Sequence, residues 1–196
     1  TTKGGYQIMA NTAHVTAGKP KVGGHVYRAP LGTALPTDAT TALNSAFVDM
    51  GYISEDGVTN SNSPESDIIK AWGGTPVLTV QTSKEDTFAQ TFISAMNPEV
   101  QKMVYGATNV TGSDVATGIT VTANAKELEE YSYVFEMIAK GNVAHRVVLP
   151  QAKPSEIGDV VYTDSDAVGY EVTLSCSADS NGNTHYEYLI DQSPST

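Results

Sequence analysis

The chain has 196 residues, 40% of them hydrophobic and only 17% charged, with a net charge of −11. That length suits one domain, or one domain with long arms, and can bury a core without covalent staples. Its single cysteine, Cys176, excludes an intramolecular disulfide and a thiolate zinc site. No apolar run approaches the roughly 18 residues of a membrane span and no signal-peptide pattern opens the sequence, so a soluble protein made in a reducing cytoplasm is expected.

Residues 1–20 are polar, contain Gly and show no period; they read as an N-terminal arm. Residues 24–29 form a short strand candidate closed by Pro30, and 46–53 are weakly strand-like. Residues 54–74 are dense in Asn, Ser, Asp, Glu and Gly, and are expected to form a long loop of the functional kind. Within that stretch Ile68, Ile69 and Trp72, the only Trp, make an apolar knot. Trp72 can plug a core or face a neighbouring subunit, since Trp is favoured at interface centres.

Pro76 opens a strand over 77–82. A helical region is expected from Ser83 to Gly106. Ser83-Lys84-Glu85-Asp86 resembles a capping box with Asp in place of Glu, and Phe88, Phe92, Ala95 and Met96 fall on one helical stripe. Asn97-Pro98 restarts the helix as N-cap and first residue; Val100, Met103 and Val104 share a face, and Gly106 stops it. Phe88, Phe92, Met96, Val100 and Met103 are therefore expected to pack helix against sheet.

Everything beyond reads as β. Residues 119–122 alternate, 131–139 and 143–149 flank a Lys140-Gly141-Asn142 turn, and 160–163 form a short strand candidate. Residues 170–176 alternate, and Asn181-Gly182 signals a hairpin to a partner strand over 185–190. The fold class is α+β, mainly β.

Chemistry finds little support. His14, His25, His145 and His185 show no metal-ligand spacing. Asp179, Asn181 and Asn183 look like a calcium loop, but Thr184 stands where Gly belongs and Ile190 where the bidentate Glu belongs. Glu127, Glu129 and Glu130, and Asp164 with Asp166, read as solvated edges and turns. No Gly-x-Ser-x-Gly or phosphate-loop pattern occurs. No catalytic residue, cofactor or metal site is expected. Strand tyrosines such as Tyr131, Tyr133, Tyr170, Tyr186 and Tyr188 would suit a sugar-binding β-sandwich, or a seam between subunits.

Residues 1–50 carry Lys3, Lys19, Lys21 and Arg28 against Asp38 and Asp49, whereas 154–196 carry eight acidic groups and no Lys or Arg. Gripping DNA requires cations, so the acidity serves solubility, or a surface that must not hold DNA.

Residues 23–33 (Gly-Gly-His-Val-Tyr-Arg-Ala-Pro-Leu-Gly-Thr), Pro36-Thr37-Asp38, and residues 47–58 (Phe-Val-Asp-Met-Gly-Tyr-Ile-Ser-Glu-Asp-Gly-Val) resemble the N-terminal half of major tail proteins of long-tailed phages infecting actinobacteria. The order of elements extends the resemblance over nearly the whole chain. It implies a tail tube fold of two packed antiparallel sheets, a barrel-like sandwich flanked by a helix. It also implies hexameric rings stacked into a conduit for the genome, with no catalytic residues. Partners would be other copies, the tape measure protein and tail tip or terminator proteins; viral DNA would pass without specific binding, and no membrane is involved. The location would be the virion tail, assembled in the host cytoplasm. One tail tube domain over 21–196, without a C-terminal immunoglobulin-like domain, is expected. Tyr52, Ile68, Ile69, Trp72, Lys19 and Lys21 are the candidate subunit-interface residues, the lysines docking on an acidic neighbour. The competing reading is a non-enzymatic β-sandwich adhesin recognising a surface glycan; a carboxylate hydrolase is the third. Replacing Lys19 and Lys21 by Glu is expected to weaken assembly, and unchanged tube formation in electron micrographs would remove the arm from the contact.

Overall fold

The computed structural model describes residues 26–140 and 142–193, together with the backbone of 18–20. In chain order the strands are β1 (Gly18–Pro20), β2 (Val26–Pro30), β3 (Val48–Asp49), β4 (Ile53–Lys70) and β5 (Pro76–Phe92). Then come helix α1 (Pro98–Tyr105), β6 (Val110–Thr111), β7 (Thr120–Val121), β8 (Tyr131–Ala139), β9 (Val143–Ile157), β10 (Tyr170–Cys176) and β11 (Tyr186–Asp191). The fold is mainly β: an antiparallel nine-stranded sheet in the order β3-β2-β8-β9-β10-β5-β4, and a two-stranded ribbon of β6 and β7. Strand β1 joins the large sheet on β8, and β11 joins it on β9.

The centre of the sheet is apolar on both faces, as a strand covered on both sides must be. Tyr133 and Phe135 of β8 face the main core with Val26, Phe88, Phe92, Leu149, Val172 and Leu174. Val134 and Val148 point the other way, onto Ala29 and Phe47, with Leu35 and Leu43 packed alongside. The sheet curls enough for Phe88 of β5 to stack on Phe135 of β8, ring centroids 5.6 Å apart.

Two buried arginines tie the covering segments down. Arg146, 2% exposed, is ion-paired with Glu136 and donates from Nη1 to the carbonyls of Asp38 (2.8 Å) and Thr41 (2.9 Å). The loop after β2 is thereby pinned across the second face. Asp38 tightens that loop by accepting from the Thr40 and Thr41 amides at 2.7 and 2.6 Å. Arg28 donates to Glu99 at 2.8 Å, at the start of α1, and lies over the Tyr131 ring. Burial pushes the Glu99 carboxyl up, but hydrogen bonds and charge from Lys102 and Arg28 hold it below its usual range.

Helix α1 begins and ends as its sequence requires. Asn97 caps it by accepting from the Glu99 amide, Pro98 stands in the first turn, and Gly106 ends it at φ +96°. Val100, Met103 and Val104 are buried.

The expected helix from Ser83 is not there: 83–92 is the inner part of β5. A spacing of four suits a strand as well as a helix, because it is also a multiple of two. The rest of the pattern decides: Asp86, Phe88, Gln90 and Phe92 are all buried, and the residues between them are half-exposed. The Ser83 capping box is therefore no cap, and Met96, placed on the same stripe, sits in a turn at 72% exposure.

The polar stretch 54–74, expected as a loop, is mostly strand: β4 pairs with β5 from Ile53 opposite Phe92 to Lys70 opposite Pro76. Residues 160–163 form no strand. The Asn181-Gly182 turn exists, with Gly182 at φ +82°, but the strands it joins do not pair with each other. Both pair with β9, β10 along 152–157 and β11 along 143–148. They lie end to end on one edge of β9.

Phe92→Ala is expected to cost about 3–5 kcal/mol of stability, as deletion of a fully buried ring does. Met96→Ala should cost no more than about 0.5 kcal/mol. Urea titrations of the two variants check this; equal losses would restore the helical stripe.

Candidate functional site

Among the described residues, the β4–β5 ladder has no third strand outward of Thr87. Strand β10 pairs with β5 only from Thr87 to Phe92, and residues 76–85 of β5 are all exposed. At about 3.3 Å per residue, the free part from Ser61 to the tip projects roughly 35 Å. The tip closes through the Ala71 amide donating to Thr75 and the Gly74 amide donating to Ala71. Trp72 stands there fully exposed. Ile69 is opposite Leu78 and shares a face with Val80, Ile68 lies on the other face, and Val77 is the extra residue at the register shift next to Leu78. All five are at least 41% exposed. An uncovered apolar ribbon with open edges is an aggregation hazard unless a partner covers it.

The residues that carry the phage resemblance build the root of this arm. Gly51 has φ +79°, and a Cβ there would meet Ser94 Oγ at 2.5 Å, so both conformation and space require glycine. Ser94 Oγ accepts from the Tyr52 amide at 2.8 Å, and the Ile93 amide donates to the Tyr52 carbonyl at 3.0 Å. Asn97 Nδ2 donates to the Asp49 carbonyl at 3.2 Å, so the helix cap also holds the segment entering β4. Residues 54–57 bulge out between Ile53 and Val58, where the register shifts.

A second clamp sits where the ribbon leaves the body. Asp86, 3% exposed, accepts from Asn60 Nδ2 (2.8 Å), Thr184 Oγ1 (2.6 Å) and His185 Nδ1 (2.5 Å). Asn60 lies on β4, Asp86 on β5, and Thr184 and His185 just before β11, so one carboxylate joins three segments. Burial pushes the Asp86 carboxyl up, yet the hydrogen bonds from Thr184, His185 and Asn60 and the charge of His185 together hold it below its usual range.

The interface candidates thus divide. Ile68, Ile69 and Trp72 gather at the tip, whereas Tyr52 is at the root, 62% exposed. Lys19 contributes backbone to β1, and its side chain and all of Lys21 lie outside the described residues, as do residues 1–17, His14 and His25. Among the packing candidates, Phe88 and Phe92 reach the core from β5 and Val100 and Met103 reach it from α1. Sequence reasoning missed Asn60, Asp86, Thr184 and His185; Asp86 on the buried phase of an alternating segment was the available signal.

The other clusters are engaged structurally. Asp179 accepts from the Asn181 and Asn183 amides and from the Tyr186 hydroxyl at 2.6 Å. Glu127, Glu129 and Glu130 bind Lys153, Tyr131 and Gln151 respectively. His145 and His185 both approach Glu187, at 2.9 and 3.5 Å. Burial, with the Asp86 charge, pushes the Cys176 thiol up to about 12, so it is no nucleophile at neutral pH. Among the described residues no three His, Cys, Asp or Glu converge on a metal position, and no helix is long and apolar enough to cross a membrane.

A curled antiparallel sheet with a long uncovered arm defines a structural subunit built to join others. Residues 9–196 match the phage tail tube protein family, and the chain belongs to it. It is a structural component of the virion tail that self-assembles into a tube. No curated protein matches the chain.

Because the Asp86 carboxyl is depressed in the fold, the stabilisation it gives is present above the ordinary carboxylate pKa. It is lost as pH falls through the depressed value. Asp86→Asn is expected to flatten that acid limb in thermal melts taken from pH 7 to pH 3; a limb of unchanged slope would show that Asp86 contributes nothing to it.

Proposed function

We propose that the chain closes into hexameric rings that stack into the tail tube, and that the β4–β5 arm makes the ring-to-ring contact. The single observation that carries this is the arm itself, whose outer end holds Ile68, Ile69, Trp72, Val77, Leu78 and Val80 exposed to solvent. Strands β3 and β4 end the sheet, and ring closure would cover such edges by pairing between neighbours. Head-to-tail contacts that do not close generate filaments.

In this reading residues 21–196 act as one tail tube domain and the tube conducts the genome into the host. The tape measure and tail tip or terminator proteins are further partners, and assembly takes place in the host cytoplasm. The resemblance of residues 23–58 to tail proteins of actinobacterial phages supports a host of that kind. The acidic C-terminal third supports a lumen that repels DNA and so keeps it mobile. It also supports docking of the basic arm on a neighbour.

Negative-stain microscopy of concentrated protein, seeded with tail tip or tape measure protein, is expected to show hollow tubes of stacked rings. The paired change Ile69→Ser and Leu78→Ser should abolish tubes while leaving the melting temperature of the subunit unchanged, because both side chains are exposed in it. Seeded protein that stays monomeric would overturn the reading and favour a glycan-binding module.

A further inference from the structure

The molecule carries, besides the arm, an apolar groove of about 720 Å³ lined by Ile93, Met96, Gln101, Tyr105, Tyr162 and Tyr170, among others. Met96 and Tyr162 stand out at 72% and 71% exposure. The Tyr105 and Tyr170 rings meet edge to face at 6.0 Å. Burial and hydrogen bonding with Tyr105 and Tyr162 push the Tyr170 hydroxyl up, so it stays a neutral donor. Gln101 donates from Nε2 to the Ala95 carbonyl, but its buried Oε1 accepts nothing among the described residues. The loop that brings Tyr162 to the groove continues through Asp164 and Asp166, both exposed.

The arm's tip complements this surface in polarity, and in charge through the acidic loop beside it. Trp72 offers a large apolar ring with one N–H donor, and Lys70, two residues away, offers a cation to Asp164 and Asp166 on the loop that carries Tyr162, and to tyrosine faces. The tip cannot reach its own groove. Trp72 precedes the first residue of β5 and Ile93 follows the last, so the extended 17-residue strand, roughly 55 Å long, lies between them. Knob and hole occupy opposite ends of one rod, and a contact between them must join two copies head to tail.

We propose that the hairpin tip of one copy seats in this groove of a second copy, Trp72 among Tyr105, Tyr162 and Met96, and Lys70 against Asp164 and Asp166. This rests on the tube reading and names the receptor for the arm. A hairpin tip buries far less than the about 800 Å² per partner of a standard interface. One contact is therefore weak, and it holds only when a ring presents several together. The axial repeat of the assembly cannot exceed the rod's length.

The test uses the full chain with Cys176→Ser. Ala71→Cys beside the knob and Met96→Cys in the groove are made as separate proteins, mixed at assembling concentration and treated with a short bismaleimide. Covalent heterodimers, with few homodimers of either variant alone, are expected. Lys70→Glu should lower the heterodimer yield at least tenfold, and adding Asp164→Lys and Asp166→Lys to the groove partner should restore it. Heterodimers without visible tubes would support the contact while sinking the tube reading. Tubes without heterodimers, or heterodimers indifferent to Lys70→Glu, would overturn the proposed contact and leave the tube reading standing. A tip that cross-links instead to added tape measure protein, with the groove variant unlabelled, would overturn it too.

Discussion

The structure depends on strand β5 being gripped at one end and free at the other. From Thr87 to Phe92 it is hydrogen-bonded on both edges, to β4 and β10, and its inward side chains enter the core. Outward of Thr87, among the described residues, it pairs with β4 alone. The inner residues therefore fix the direction in which the outer ones point, and hydrogen bonding within the ladder keeps that direction without packing. A two-stranded ribbon is marginal in water by itself. Here the anchored end supplies the nucleus, and partner surface must supply the rest.

The anchoring is polar as much as apolar. Asp86 collects donors from β4 and from the segment before β11, and Ser94 and Asn97 hold the backbone entering β4. Such groups are costly when unpaired and directional when paired. That makes them suited to setting an angle, where an apolar contact would tolerate sliding. Arg28 and Arg146 do the same for α1 and for the loop after β2. Removing Glu136 would strand the buried Arg146 charge, at a cost of about 3–5 kcal/mol.

Much of the body was legible in the sequence. Asn97-Pro98 and Gly106 bound the helix, and the strand-like run of 131–139 and the alternation of 170–176 mark two central strands. The arm was not legible, for a physical reason. A strand with both faces in solvent needs no alternation, so the Asn, Ser and Glu of β4 read as loop although they are laddered. The helix expected at Ser83 failed because Phe88 and Phe92 satisfy both periods, and only the buried Asp86 and Gln90 between and before them distinguish the two. The Asn181-Gly182 turn was read correctly as a turn, but a turn does not name the strand its arms will pair with. The groove was invisible because it gathers residues from 93 to 170 that share no local pattern.

The end-to-end placement of β10 and β11 on β9 has a consequence for engineering. Each strand takes its register from β9, and the exposed Ser180–Asn183 crossing is held locally by Asp179 rather than by pairing of the two strands. Lengthening a loop costs only about 0.6 kcal/mol per doubling. A foreign peptide spliced between Asn181 and Gly182 would leave Asp86 its donors from Thr184 and His185. Every subunit of a tube would then present one copy, turning the filament into a regular display scaffold whose spacing is set by the assembly itself.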